Sequence, residues 1–213
     1  MSTFRPGLTE AEVLQKLHRG LILEYISIGW MSIEGSASLI AGLLAGSLAL
    51  VAFGGDSFIE LLSAYAVAAY LSKRQKGTAS PKLLEDTERI TGVLLAALIP
   101  IMALGAVYSF LTGTRTEASI PGIAVAIGAV IIMPGLWRGK RRIGVETGCV
   151  PLSVDAVESA TCFLMSIALL LGLLTVYLFG LWWVDYLAAG IILVFVAKEA
   201  VEAFAPGEDS PSR

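Results

Sequence analysis

Six long apolar segments separated by short polar loops most constrain what this chain folds into. A helix of about 20 apolar residues is long enough to cross the hydrocarbon core of a bilayer. A soluble domain usually carries about 25% charged residues, whereas this chain of 213 residues has 15% charged and 56% apolar residues. We therefore predict an all-α membrane protein with six transmembrane helices. Their expected bounds are Gly20–Leu44, Leu48–Leu71, Ile90–Leu111, Pro121–Trp137, Cys149–Phe179 and Val184–Phe204.

Lys and Arg are distributed unevenly between the two sides of these segments. Fourteen of the fifteen fall in the N-terminal stretch, in the loops after the second and fourth segments, or at the C-terminal end, and only Arg115 falls on the opposite side. Positively charged loops stay in the cytoplasm, so we predict that both termini are cytoplasmic. We expect a cytoplasmic leader over residues 1–19, a membrane domain over 20–204, a basic loop over 138–148 and a disordered tail over 205–213.

Several classes of function are not favoured by the composition. Two cysteines are too few for a disulfide framework, and no basic stripe carries the interleaved aromatic residues of a nucleic-acid interface. His18, the single histidine, lies in the leader, so a membrane-embedded histidine site is excluded. The apolar segments contain no nucleophile–base pair, and we do not expect an enzyme or a bound cofactor.

Six acidic residues lie inside apolar segments and need an explanation. An ionised carboxylate near the bilayer centre costs at least about 2.5–3.5 kcal/mol on insertion scales. Such residues usually face a cavity or a partner and mark a pathway for ions or protons. The six are Glu24, Glu34, Asp56, Glu60, Asp155 and Glu158.

The spacing of four side chains indicates a metal site near the middle of the membrane. Asp56 and Glu60 share one face of the second helix, and Glu158 and Cys162 share one face of the fifth, because each pair is separated by four residues. At 1.5 Å per residue, Asp56 lies about 12 Å from the outer end of its helix and Glu158 about 14 Å from the inner end of its own. Carboxylates and thiolates are ligands of divalent transition metals. We therefore predict a site formed by these four side chains.

Structural roles are the alternative for these acids. Protonated carboxyls would then form hydrogen bonds with nearby hydroxyls, and Cys162 would be a small buried apolar residue. Asp155, Glu34 and Glu24 are assigned to the pathway or to proton transfer, with structural hydrogen bonding as the competing interpretation. Asp185 is expected to cap the sixth helix. The hydroxyl partners in the structural interpretation would be Ser57, Ser63, Ser159 and Thr161.

The sequence resembles the cation diffusion facilitator family over most of its length. That family has Asp-x-x-x-Asp on helix 2 and His/Asp-x-x-x-Asp on helix 5, which together form a tetrahedral metal site. Asp56 and Glu60 occupy the first pair of positions, and Glu158 and Cys162 occupy the second. The residues that carry the resemblance are Gly46-Ser-Leu-Ala-Leu, Phe53-Gly-Gly-Asp-Ser-Phe-Ile-Glu-Leu-Leu-Ser63, Asp155-Ala-Val-Glu-Ser-Ala-Thr-Cys162 and Trp182-Trp-Val-Asp185.

The resemblance implies a transporter without the C-terminal cytoplasmic domain of larger family members. It implies that helices 1, 2, 4 and 5 form the transport bundle, that helices 3 and 6 form a scaffold on the dimer side, and that the protein is a homodimer. The expected location is the inner (plasma) membrane of a bacterium or an archaeon, as an integral multi-pass protein.

The expected activity is export of a divalent transition metal in exchange for protons. Zn²⁺ is the first choice from the resemblance, with Fe²⁺ or Mn²⁺ next and Co²⁺ or Cd²⁺ also compatible with the donor types. A non-transporting membrane assembly or regulatory protein, with purely structural carboxyls, is the alternative function.

Overall fold

The computed structural model describes residues 9–80, 82–112 and 115–204, and this part of the chain is all-helical. The predicted leader up to residue 8 and the predicted tail over 205–213 lie outside the described residues. The helices are α1 (Glu10–Ala45), α2 (Leu48–Gln75), α3 (Lys82–Thr112), α4 (Ile120–Thr147), α5 (Val150–Phe179) and α6 (Val184–Phe204).

Five of these helices are long and apolar enough to cross a membrane, namely α1, α2, α4, α5 and the stretch Gly92–Ser109 of α3. Helix α6 is 21 residues long but is interrupted by charge, because Val184–Val201 already contains Asp185, Lys198 and Glu199. The helical architecture of an integral membrane protein is thus confirmed. The sixth span and the orientation of the termini stay predictions.

Helix α1 begins earlier than the apolar pattern predicts. Thr9 caps it, with its hydroxyl accepting a bond from the Glu12 backbone N–H at 3.3 Å and its own backbone N–H bonded to the Glu12 carboxylate at 2.8 Å. Val13 and Leu17 are buried with residues from the end of α2 and the start of α5. Helix α1 therefore has 36 residues, about 54 Å at 1.5 Å per residue, and the second half of the predicted leader is part of the bundle.

The prediction of a basic loop at 138–148 is wrong, since α4 continues through this stretch to Thr147. The helix ends at Gly148, whose φ of 61° lies in the left-handed region that favours glycine. Pro134 lies inside the helix without ending it. The charged residues that suggested a loop therefore lie on a helix, and one of them, Lys140, is fully buried.

Helix α2 lies at the centre of the bundle and contacts α1, α3, α5 and α6. It approaches α1 closely at Gly54, where a Cβ atom would lie 2.9 Å from the Leu39 backbone nitrogen and 3.0 Å from the Gly35 carbonyl oxygen. A larger residue would push the two backbones apart. This close packing brings Glu34 of α1 against Ser57 of α2.

Asp185 caps α2 rather than α6, which corrects the sequence-based expectation. Its carboxylate accepts bonds from the Ser47 hydroxyl at 2.6 Å and from the Leu48 backbone N–H at 2.8 Å. The starts of α2 and α6 meet at the same end of the bundle. The Asp185 carboxylate therefore accepts bonds from N–H groups in the first turn of α2 that have no partner within that helix.

The outer surface of the bundle is apolar. Leu44, Leu111 and Ile131 are 70–81% exposed, and many other large aliphatic side chains point outward in the same way. Contiguous apolar surface of this extent indicates contact with lipid. The polar residues discussed below lie on the inside of this shell.

Candidate metal centre

Three carboxylates converge where α2 faces α6. Asp56, Glu60 and Glu199 each place one oxygen so that the three atoms lie within 4.8 Å of one another. Asp56 is 0% exposed and Glu60 is 4% exposed, while Glu199 is partly buried. We call these three residues the acid cluster.

The acid cluster lacks internal partners. Both oxygens of Asp56 and of Glu60, and Oε1 of Glu199, are buried without a hydrogen-bond partner among the residues that the structure describes. Burying a carboxylate without a bond or an opposite charge is costly. The arrangement is stable only when a cation or protons neutralise it, which distinguishes the acid cluster from an ordinary hydrogen-bond network.

Glu158 of α5 lies beside the acid cluster, within electrostatic range of Asp56 and Glu60. Its Oε1 accepts a bond from the Ser63 hydroxyl at 3.2 Å, as the structural interpretation expected, while Oε2 has no partner in the described residues. A cavity between α2, α3 and α5 reaches this side chain and Asp155. One oxygen of Glu158 is therefore free to turn toward a cation.

Cys162 is completely buried on α5. Its thiol donates to Glu34 Oε1 at 3.5 Å and lies close to Glu60. Glu34 also accepts bonds from the Ser57 hydroxyl at 2.9 Å and from the Trp30 indole N–H. The thiol thus borders the acid cluster, and Glu34 is already satisfied by three donors.

Glu24 and Asp155 lie in a second buried group, together with Lys140. The Lys140 ammonium is 3.2 Å from Glu24 Oε2 and forms an ion pair with the Asp155 carboxylate. All three side chains are at most 2% exposed, and they join α1, α4 and α5. We call these residues the lysine triad.

The sequence predicted four ligands in one region, but it did not single out Glu199 of the acid cluster or Lys140 of the lysine triad. Glu199 was not among the predicted site residues, although it follows Ile192 by seven and Val196 by three residues, a spacing that places it near the buried face that those two residues form. Lys140 was hidden among neighbouring basic residues, and its burial is visible only in the three-dimensional structure.

The resemblance assigned helix 6 to a scaffold, but here α6 supplies one of the three converging carboxylates. Carboxylate oxygens bind divalent cations such as Mg²⁺, Mn²⁺, Fe²⁺ and Zn²⁺. A buried group with an excess of negative charge, enclosed by membrane helices, suits a cation on its way through the protein.

Comparison with known proteins gives the family. Residues 25–207 match the sequence profile described as the cation efflux transmembrane domain. A search of curated proteins found no match. The profile covers most of the chain and includes every carboxylate of the acid cluster, and it shows that the chain belongs to the cation efflux family, whose members transport metal cations.

Proposed function

We propose that this protein exports a divalent transition metal cation in exchange for protons. The proposed ligands are Asp56, Glu60, Glu158 and Cys162. The observation that carries the proposal is the burial of Asp56 and Glu60 without any bonded partner in the described residues. Unpaired carboxylates in this position destabilise the fold unless they are neutralised, and a bound cation would neutralise them.

Competition between metal and protons supplies the coupling in this proposal. Three carboxylates and one thiolate would carry four negative charges, more than one divalent cation neutralises. Some of these groups therefore hold protons when the metal is absent. Metal arriving from the cytoplasm displaces protons, and protons arriving from the other side displace metal.

Zn²⁺ is the first choice of cargo, because the resemblance favours it and thiolate is a good zinc ligand. Fe²⁺ or Mn²⁺ comes next, because the remaining donors are oxygens. Co²⁺ and Cd²⁺ are compatible with the mixed donor set.

Alternating access comes from rocking of the transport bundle about the fixed site. The cavity that reaches Asp155 and Glu158 provides the approach to the site in this proposal. Glu34, Asp155 and Glu24 are the proposed pathway or proton-linked residues beside it. We further propose that the transporter works as a homodimer, which cross-linking in the membrane tests.

The decisive experiment is a flux assay in proteoliposomes with a metal indicator and a pH indicator inside. Zn²⁺, Fe²⁺, Mn²⁺, Co²⁺ and Cd²⁺ are added one at a time, and metal entry is expected to release protons from the lumen. Asp56→Asn and Glu60→Gln are expected to abolish both signals because each removes a charged ligand of nearly unchanged size.

Absence of flux from the correctly folded parent, with every metal, would contradict the proposal. The protein would then be an assembly or regulatory partner with structural carboxyls. The bonds from Ser57 to Glu34 and from Ser63 to Glu158 are the contacts that this alternative would retain, but they leave the acid cluster unexplained.

A further inference from the structure

Helix α6 carries a carboxylate at the edge of an otherwise apolar face. Its inward face is formed by Ala188, Ala189, Ile192, Val196 and Ala200, all at most 5% exposed. Glu199 lies on the edge of this face, while Lys198 and Glu202 pair with each other at 3.6 Å and are 63% and 59% exposed. Glu199 is thus the acid of this turn that points toward the bundle.

The other two members of the acid cluster point to a ligand independently of Glu199. Asp56 and Glu60 are more than nine-tenths buried, and none of their four oxygens has a hydrogen-bond partner in the described residues. The one buried lysine of the described chain, Lys140, is already held by Glu24 and Asp155. The charge of the acid cluster is therefore not balanced by a cation from these buried side chains.

The distances suit a single bound ion. Carboxylate oxygens lie about 2.0–2.2 Å from a bound Zn²⁺, so two ligand oxygens of one ion are separated by at most about 4.4 Å. The three oxygens of the acid cluster already lie within 4.8 Å of one another. A small change of side-chain torsion brings all three into one coordination shell.

We propose that Glu199 is a ligand of the transported cation, so that α6 takes part in the site together with α2. This inference rests on the proposed transport function and adds to it a donor on a helix outside the predicted ligand set. With Asp56 and Glu60 it provides three oxygens, a donor set that favours harder ions such as Mn²⁺ and Fe²⁺ over thiophilic Cd²⁺.

The same geometry predicts how cation binding affects the bundle. A cation held by Glu199 and Glu60 would join α6 to α2 near the end of α6, in addition to the bonds of Asp185 to Ser47 and Leu48 at the start of both helices. Glu199 also has a side-chain hydrogen bond with Thr161, but its Oε1 has no hydrogen-bond partner in the described structure. Exchange of Glu199 for the neutral Gln of similar size is therefore expected to weaken cation binding more than it disturbs the fold.

The test compares Glu199→Gln with Glu202→Gln, a matched change on the exposed side of the same helix. Mn²⁺ binding to the detergent-solubilised full chain is followed by electron paramagnetic resonance, and Mn²⁺ and Cd²⁺ flux is followed in proteoliposomes. We expect Glu199→Gln to raise the Mn²⁺ dissociation constant and the half-saturating concentration at least 10-fold, with a smaller rise for Cd²⁺. Glu202→Gln is expected to match the parent.

Asp56→Asn separates failure of this inference from failure of the transport proposal. If the parent transports metal and Asp56→Asn does not, but Glu199→Gln binds Mn²⁺ like the parent, then Glu199 is not a ligand. If the folded parent neither binds nor transports any metal, the transport proposal itself fails. A Glu199→Asp variant that binds Mn²⁺ more tightly than Glu199→Gln would support a carboxylate role over a purely steric one.

Discussion

The acid cluster and the lysine triad are two groups of buried carboxylates in one small bundle, and they differ in how their charge is balanced. In the triad, Lys140 lies 3.2 Å from Glu24 and is also paired with Asp155. In the cluster, Asp56 and Glu60 have no hydrogen-bond partner among the described residues. Asp56 and Glu60 are at most 4% exposed, and Glu24 and Asp155 are at most 2% exposed, so these four acids differ in the presence of a paired lysine rather than in burial.

This difference separates carboxylates that a lysine of the chain neutralises from carboxylates that lack such a lysine, and we expect only the second kind to bind the cargo directly. A carboxylate that is neutralised by a lysine of the same chain holds helices together and leaves little affinity for an external ion. A carboxylate without such a partner is available to the cargo. The four predictions below test that division, and they begin with the largest expected effect.

The largest effect is expected for Lys140→Met. Removal of one member of a buried ion pair typically costs about 3–5 kcal/mol, because the remaining charges stay buried without compensation. Glu24 and Asp155 would both be left unpaired, so we expect a strong loss of folded protein. Thermal unfolding in detergent, followed by tryptophan fluorescence, measures the change.

The control and the rescue sharpen this prediction. Lys198→Met removes an exposed pair and is expected to change stability by less than about 1 kcal/mol. The triple variant Lys140→Met/Glu24→Gln/Asp155→Asn is expected to be more stable than Lys140→Met alone. If Lys140→Met has the same unfolding temperature as the parent, the triad does not hold the bundle together.

Asp56→Asn is expected to have the opposite pattern, with flux lost and the metal-free fold retained. A ligand that binds only the native state stabilises it by about 2.7 kcal/mol at 100 times its dissociation constant. Added metal should therefore raise the unfolding temperature of the parent but not that of Asp56→Asn. A metal-free variant much less stable than the metal-free parent would show that Asp56 stabilises the fold, as we expect of the triad.

Cys162 borders the acid cluster, and its replacement is expected to change metal preference rather than fold. Cys162→Asp exchanges a soft donor for a hard one, so the preference should move from Zn²⁺ or Cd²⁺ toward Mn²⁺ while transport is retained. Cys162→Ser should lower the affinity for soft metals, because a hydroxyl is a weak ligand. Equal affinities and the same metal order in parent, Asp and Ser forms would make Cys162 a packing residue.

The smallest effect is expected for Lys16→Ala. This residue pairs with Glu146 at 2.7 Å, but the two side chains are 29% and 23% exposed, so water and salt screen the pair. We expect a loss of at most about 1 kcal/mol, which decreases further at high salt. A loss as large as that of Lys140→Met would show that burial does not explain the difference between the ion pairs.

The sequence alone was sufficient to predict a helical membrane protein, and it singled out Asp56 and Glu60, which the structure buries. Apolar segment length determined the helices, because a bilayer requires continuous hydrogen-bonded spans. The four-residue spacing of Asp56 and Glu60 placed both carboxylates on one helix face. The helix ends near Glu10 and Thr147 were missed, because charged residues in a helix that extends beyond the apolar core resemble a loop.

Only the tertiary structure decided which acids have partners. Glu24 and Asp155 are distant in sequence and are joined by Lys140, while Glu199 comes from the last helix to reach Asp56 and Glu60. Such pairings depend on how helices pack against one another, and the spacing within one helix contains no information about them. The sequence determined that carboxylates are buried, and the packing decided which of them lack a lysine and are left for a cation.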